Sequence, residues 1–227
     1  LSHVDSAAAL RFLVTETGLP GRSDFAYDMA RGWAATEPEK AVSWAKTVPD
    51  DLAAMALKGA MEPLAAKDFA VAVREYDGIK PEQRDGVLGV LGAHMGESPE
   101  RVADVIRLVE EAGEGEGRAQ AARQAMLQWT RQDPEAASAW VARQPEGATR
   151  DAAILGFGYA SVLAKADPEA GLEWTAAVSN QDQRFSALNQ NLKVWVEYDP
   201  AAAREWVQST PRLNDDDRER LLPLTRK

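Results

Sequence analysis

Apolar residues recur along this chain at the spacing of one face of an α-helix. In the stretch that ends at Trp129, small and apolar side chains fall in pairs four residues apart, at Ala121/Ala122 and Ala125/Met126. Equivalent positions are Phe25/Ala26 and Met29/Ala30 before Trp33, Leu155/Gly156 and Tyr159/Ala160 before Leu163, and Ala187/Leu188 before Leu192 and Trp195. No stretch shows the sustained apolar–polar alternation of a half-buried strand. The pattern therefore predicts an all-α protein with almost no strand.

A second pattern marks where helices begin. Six positions, 30 to 35 residues apart, carry Pro or, once, Phe: Pro38, Phe69, Pro99, Pro134, Pro168 and Pro200. The residues directly before them are Glu37, Asp68, Ser98, Asp133, Asp167 and Asp199. Asp and Ser accept hydrogen bonds from the free amides of a first helical turn, and Pro is tolerated at the first helical position. Each position therefore predicts a helix start, with Glu37 as the weakest cap.

The two patterns combine into one repeat. All seven tryptophans, and eight of the twelve prolines, follow the order Trp, four residues, Pro, five residues, Trp, four residues, Pro. Three copies are complete, and they start at Trp33, Trp129 and Trp195. Each predicted second helix carries a small residue or Val at its fourth position and, in the clear copies, Trp at its seventh. We expect these Trp rings to fill the space between closely packed helices, as structural rather than ligand-binding residues.

The repeat predicts one helical-repeat domain over residues 1–227. Its units are about 21–49, 50–80, 81–112, 115–145, 146–179 and 180–211, with half units at 1–20 and 212–227. The last half unit is predicted as a helix from Leu213 to Leu222 with Asn214 as its cap. A chain that begins at Leu1 and starts and ends in mid-unit is expected to be a piece of a longer protein.

One stretch leaves the domain organisation open. Residues 110–117 read Glu-Glu-Ala-Gly-Glu-Gly-Glu-Gly, which breaks helices. The stretch is interpreted as a long solvated loop inside one array. A hinge between two halves is the alternative.

The chain resembles tetratricopeptide-like α-solenoids over essentially its whole length. The shared features are the repeat period, the pairing of helices, the small residue on the second helix and the Pro that closes each unit. The chain departs from true tetratricopeptide repeats, because its Trp lies at the end of the first helix and recurs on the second. The resemblance implies a right-handed α-solenoid of about six helix pairs with a partial unit at each end. It also implies binding of proteins or peptides, although fold alone does not determine function.

Charge and composition narrow the function classes. The chain has 26 basic and 36 acidic residues, a net charge of −10 and no cysteine. This balance disfavours nucleic acid, whose phosphates need clustered Lys and Arg, and no apolar run predicts membrane insertion. Localisation stays open between the cytoplasm and export after removal of a signal peptide, because absence of Cys leaves the compartment undecided.

Residues for catalysis are sparse. With only His3 and His94, neither a zinc site nor a Ser-His-Asp set can be assembled with any specificity. His94 stands where the repeat has Trp, and it is interpreted as a substituted core aromatic. We therefore expect no catalytic residues, no metal and no cofactor.

The exposed face of the first helices is the predicted partner surface. In each first helix, the residue eleven positions before the start of the second helix lies off the apolar stripe, and we call these residues, taken over all the repeats, the column. Together with the residues four positions later, the column contains aromatic, charged and amide groups, which an extended peptide requires. The candidate partner-binding residues are Tyr27, Arg31, Lys58, Arg123, Phe157, Asn189 and Lys193. An ordinary solvated face would carry a similar mixture, and this alternative stays open.

Two hypotheses for function follow. The first is a non-enzymatic scaffold, monomeric, that presents a curved surface to a protein or peptide. The second is an α/α-toroid enzyme or small-molecule binder, in which helix pairs close into a ring with acidic residues at its mouth. Contact between the first and last pairs would favour the toroid.

Overall fold

The structure, a computed structural model, describes residues 20–159 and 167–226. Over these residues the chain is all-helical, with thirteen α-helices and no strand. The helices are α1 (Arg22–Ala34), α2 (Pro38–Ala45), α3 (Asp50–Lys67), α4 (Phe69–Asp77), α5 (Arg84–His94), α6 (Pro99–Glu111), α7 (Glu116–Gln132), α8 (Pro134–Arg143), α9 (Ala148–Tyr159), α10 (Pro168–Ala176), α11 (Gln181–Tyr198), α12 (Pro200–Ser209) and α13 (Asp215–Leu221). Two short 3₁₀ segments are also present: Pro81–Gln83 directly precedes α5, and Leu222–Thr225 directly follows α13.

The predicted helix pairs are confirmed as local elements. Each predicted unit from 21–49 to 180–211 contains a first helix and a second helix, and all six second helices begin at the predicted residue. The half unit 1–20 lies, apart from Pro20, outside the described residues. In the other half unit the predicted cap is confirmed, since Asn214 precedes the helix and its side chain accepts from the Asp217 amide at 2.7 Å. The helix Asp215–Leu221 is shorter than the predicted Leu213–Leu222.

Second helices begin where a short polar side chain satisfies the amide three residues later. Asp68, Ser98, Asp133, Asp167 and Asp199 each accept such a hydrogen bond. Glu37 makes no such bond, as predicted for the weakest cap. Its carboxylate instead accepts from Trp33 Nε1 at 3.0 Å and pairs with Lys40.

The core of each pair forms around the small position of the second helix. Ala41, Ala72, Ala137 and Ala203 are fully buried there. Among the tryptophans, Trp140, Trp195 and Trp206 are buried, whereas Trp33 and Trp44 are half-buried and pack on each other with ring centroids 6.1 Å apart.

One residue predicted on the apolar stripe of the first helices is exposed, and one polar residue lies buried on that stripe. Phe25 was predicted on the stripe, but it is 49% exposed. The buried stripe of α1 runs through Ala26, Ala30 and Ala34, and Phe25 lies one residue outside it. Asn191 breaks the apolar pattern yet is buried, since its Nδ2 donates to Thr175 Oγ1 at 3.0 Å.

The chain divides into two compact units, Leu1–Ala121 and Ala122–Lys227. In the first unit, α1, α3 and α5 lie side by side in that order, and α2, α4 and α6 pack against them. In the second, α9 contacts α11 and α11 contacts α13, with α10 and α12 packed alongside. The division falls inside α7 rather than in the glycine-rich stretch at 110–117.

Glycine allows first helices to approach each other closely within each unit. A Cβ atom on Gly59 of α3 would lie 2.3 Å from the carbonyl oxygen of Tyr27 in α1. A Cβ atom on Gly156 of α9 would lie 2.2 Å from the carbonyl oxygen of Arg123. Real Cβ atoms do not approach so near, so glycine is required for this helix spacing.

Candidate functional site

A cluster of polar side chains joins α1 to α3 next to Gly59. Tyr27 Oη donates to Glu62 Oε2 at 2.7 Å, and Arg31 Nε lies 3.4 Å from the same oxygen. Burial raises the pKa of the Tyr27 phenol, and the hydrogen bond to Glu62 and the charge of that carboxylate raise it further. Tyr27 therefore stays protonated at neutral pH and holds Glu62 by a charge-assisted hydrogen bond.

Beyond Glu62 an open groove of about 310 Å³ runs over α5, and we call it the α5 groove. One wall comes from α3 through Lys58 and Glu62. The opposite wall comes from α7 through Glu116 and Gln120.

The floor of the α5 groove exists because α5 presents small residues there. Gly86, Gly89 and Ala93 lie on this face, with the buried side chain of Val90 between them. A Cβ atom on Gly86 would meet nothing within 4 Å, whereas one on Gly89 would lie 3.2 Å from the Gln120 side chain. Larger side chains at these positions would fill the groove.

The α7 wall is fixed by Asp85. Its two carboxylate oxygens accept from the backbone amides of Gly117 and Arg118, each at 2.9 Å. Arg118 Nε also donates to the carbonyl of Val109 at 2.8 Å. The two Asp85 bonds satisfy free amides at the start of α7 and hold that helix end against α5. The Arg118 bond holds it to the end of α6.

His94 lies at the end of the α5 groove and is half-buried, so its interpretation as a core aromatic is wrong. The equivalent Trp33 and Trp129 are half-buried as well, whereas Trp195 is buried, so this repeat position does not by itself place a side chain in the core. His94 Nδ1 lies 2.9 Å from the carbonyl oxygen of Val90. A carbonyl only accepts, so Nδ1 carries the proton, and Nε2 of the neutral ring is an acceptor.

A second cavity of about 200 Å³ lies between the segment that precedes α5 and the loop that joins α6 to α7. Arg84 crosses it, 5.3 Å from the ring centroid of Tyr76, and donates to the carbonyls of Asp77 and Ile79. These bonds tie the end of α4 to the start of α5, and we assign this cavity no ligand.

Three of the predicted partner residues come together. Tyr27, Arg31 and Lys58 all belong to the first unit: two of them contact Glu62, and Lys58 lies one turn before it on α3. Glu62 lies at the same repeat position as Arg31 and Lys193, but it was not among the candidates.

The other four candidates belong to the second unit. Arg123 and Lys193 are exposed and Asn189 is half-buried. The placement of Phe157 off the buried stripe is wrong. Its side chain is 2% exposed and packs edge-on against Trp174, with centroids 5.4 Å apart, so it belongs to the core between α9 and α10.

Sequence reasoning missed the groove floor and the α7 wall. A signal was present, since Gly86 and Gly89 are three residues apart and share one face of a helix. It was weak, because glycines on a helix face also serve helix packing, as Gly59 does.

Comparisons with protein-family models, with curated proteins and with solved structures found no match. In the part of the chain that the structure describes, no helix has both the length and the apolar character to span a membrane. Within the same residues, no group of three or more His, Cys, Asp or Glu side chains is placed to hold a metal ion.

Proposed function

We propose that this chain is a non-enzymatic interaction scaffold, a right-handed α-solenoid of about six helix pairs that binds an extended segment of a partner protein. The observation that supports this proposal is the α5 groove. There, the first helices of three consecutive pairs contribute side chains to one concave surface. Successive first helices packed side by side are the arrangement that a solenoid uses to present such a surface.

The chemistry of the groove suits a peptide. The Gln120 amide can both donate to and accept from a peptide backbone, and Glu62, Lys58 and Glu116 provide charged partners for side chains. The Val90 and Ala93 floor adds apolar contact. Peptide sites combine backbone hydrogen bonds, which give affinity, with pockets that select side chains.

The α/α-toroid alternative finds no support in this groove. An acid–base pair of carboxylates would need two groups facing the same open space. Both oxygens of Asp85 are taken by backbone amides. Glu62, whose Oε2 is held by Tyr27 and Arg31, and Glu116 line opposite walls, and no contact among the described residues pairs these two carboxylates.

A display experiment tests the proposal. A library of random dodecapeptides would be selected on the wild-type protein and, in parallel, on Gly86→Leu, which places a side chain in the groove at a position with open space. Gly32→Leu is the matched control, since Gly32 is a helical glycine of α1 with equally open space and does not line the groove.

We expect peptides to be enriched on the wild type and on Gly32→Leu and lost on Gly86→Leu. Equal enrichment on all three proteins would place binding elsewhere and contradict the proposal. Failure to enrich any sequence would do the same.

A further inference from the structure

We propose that the α5 groove selects partner segments carrying a lysine or arginine side chain, whose charged head binds between carboxylates of α3 and α7. This inference rests on the proposed function and adds the chemistry of the ligand to it. It follows from the charges around the groove, the oxygens that the fold leaves available and the shape of the floor.

The charges that line the groove are unbalanced. Three carboxylates, Glu62, Asp85 and Glu116, line the groove with one cation, Lys58. Arg31 pairs with Glu62 from outside the groove, so an excess of one negative charge remains. The whole chain carries a net charge of −10. A concave site with one sign of charge in excess concentrates ligands of the opposite sign.

The fold leaves two of the three carboxylates able to bind a ligand. Asp85 is used internally, since each of its oxygens accepts a backbone amide of α7. Both contacts to Glu62 fall on Oε2, which leaves Oε1 as an acceptor. Glu116 is exposed in the first turn of α7, on the opposite wall. A cation in the groove therefore has acceptors on two sides.

Tyr27 and Arg31 position Glu62 for this role. A flexible glutamate loses side-chain entropy when it binds a ligand, and here two contacts from α1 already hold it. The side-chain entropy that Glu62 loses on ligand binding is therefore smaller, as in other preorganised sites.

The floor fits the aliphatic part of a long basic side chain. Ala93 is exposed and offers apolar surface beside the buried Val90, and Gly86 leaves open space above α5. Lys and Arg place their methylene groups on apolar surface while the charged end reaches polar groups. An acidic side chain would meet an excess of carboxylates, and a purely apolar one would leave them without a counter-charge.

The test uses three biotinylated pools of degenerate nonapeptides that differ in the central residue: lysine or arginine, leucine, or glutamate. Binding would be measured to the wild type, to Glu116→Gln and to Glu62→Gln/Glu116→Gln. Glu135→Gln is the matched control, an exposed glutamate in the first turn of α8 that does not line the groove. Gly86→Leu reports binding outside the groove.

The basic pool should bind the wild type and Glu135→Gln best. Glu116→Gln should weaken binding of the basic pool about twofold to fivefold, the range expected for an exposed ion pair. The double variant Glu62→Gln/Glu116→Gln should weaken this binding about tenfold. Raising NaCl from ~0.05 M to ~0.5 M should remove most of the preference, because salt screens exposed charges.

Preference for the leucine or glutamate pool would overturn the inference, as would unchanged binding of the basic pool by both glutamine variants. If a pool distinguishes the wild type from Gly86→Leu but is not the basic one, the groove is a peptide site and only its selectivity is wrong. If no pool distinguishes these two proteins, the proposed function fails together with the inference.

Discussion

At the scale of single residues, one carboxylate oxygen or hydroxyl caps the start of five of the six second helices. Asp133 Oδ1 accepts from the Ala136 amide at 2.9 Å, and Asp199 Oδ1 makes the same bond to Ala202 at 2.9 Å. The bond satisfies an amide that the helix cannot pair internally. Because the bond is local, its position follows from the sequence alone.

Asp133→Ala should lower the free energy of unfolding by about 1 kcal/mol, the usual cost of losing an N-cap. Asp133→Asn keeps an acceptor oxygen at the same place and should lose far less. Urea unfolding followed by circular dichroism compares the two variants. Equal losses would mean that the charge of Asp133, and not its hydrogen bond to Ala136, stabilises α8.

Burial separates the tryptophans into two groups. Trp140 is 1% exposed whereas Trp44 is half-buried. Trp140→Ala should cost about 3–5 kcal/mol through lost contacts and a cavity, and Trp44→Ala clearly less. Thermal unfolding of both variants tests this order, and a larger effect at Trp44 would contradict the packing described for α8.

At the scale of helices, close approach and end-to-end hydrogen bonds set the packing of successive pairs. Gly59 brings α3 against the backbone of Tyr27. Arg84, Arg118, Arg184 and Arg218, in first helices or at their start, donate to carbonyls at or just after the end of the preceding second helix. Two of these steps are 34 residues long, from 84 to 118 and from 184 to 218. The regular spacing of these arginines is a sequence signal that the Trp-Pro repeat does not include.

Gly59→Ala should destabilise the first unit, because its Cβ would lie 2.3 Å from a backbone carbonyl that cannot move without shifting α1. Gly32→Ala adds the same methyl group to a helix where nothing lies within 4 Å. It should be neutral or stabilising by up to about 1 kcal/mol, from helix propensity. Thermal unfolding of the pair checks the sign, and similar effects would mean that α1 and α3 are not in close contact.

The sequence predicted the helices and their caps because both depend on neighbours within one or two turns. The α5 groove depends on the spacing between helices more than 25 residues apart in the chain, such as Gly89 of α5 and Gln120 of α7. No local pattern encodes that spacing. For the same reason Phe157 was placed on the surface, since its burial depends on contact with Trp174 on the next helix.

At the scale of the whole molecule, each helix pair is expected to be stabilised mainly by its neighbours. In the second unit Leu213 and Leu221 close an apolar cluster with Leu188 and Trp206, and Arg184 Nε binds Asp217 Oδ2 at 2.8 Å. The last helix thus covers the end of the pair before it.

Removal of residues 213–227 should therefore lower the melting temperature while the remaining helices stay folded, as expected for an array in which each unit contacts only its neighbours. Far-UV circular dichroism at low temperature gives the helix content, and a melt gives the stability. Loss of helicity far beyond α13 would show that the pairs do not fold as a neighbour-stabilised array.

Partner recognition in the α5 groove is the central claim, and glycine amides report on it directly. The protein has 16 glycines, so a ¹⁵N-glycine-labelled sample gives a simple spectrum. On titration with a peptide selected on the wild type, we predict shifts at Gly86, Gly89 and Gly117, which line the groove, and none at Gly147 or Gly171. Shifts confined to glycines outside the groove, with Gly86, Gly89 and Gly117 unmoved, would contradict the account.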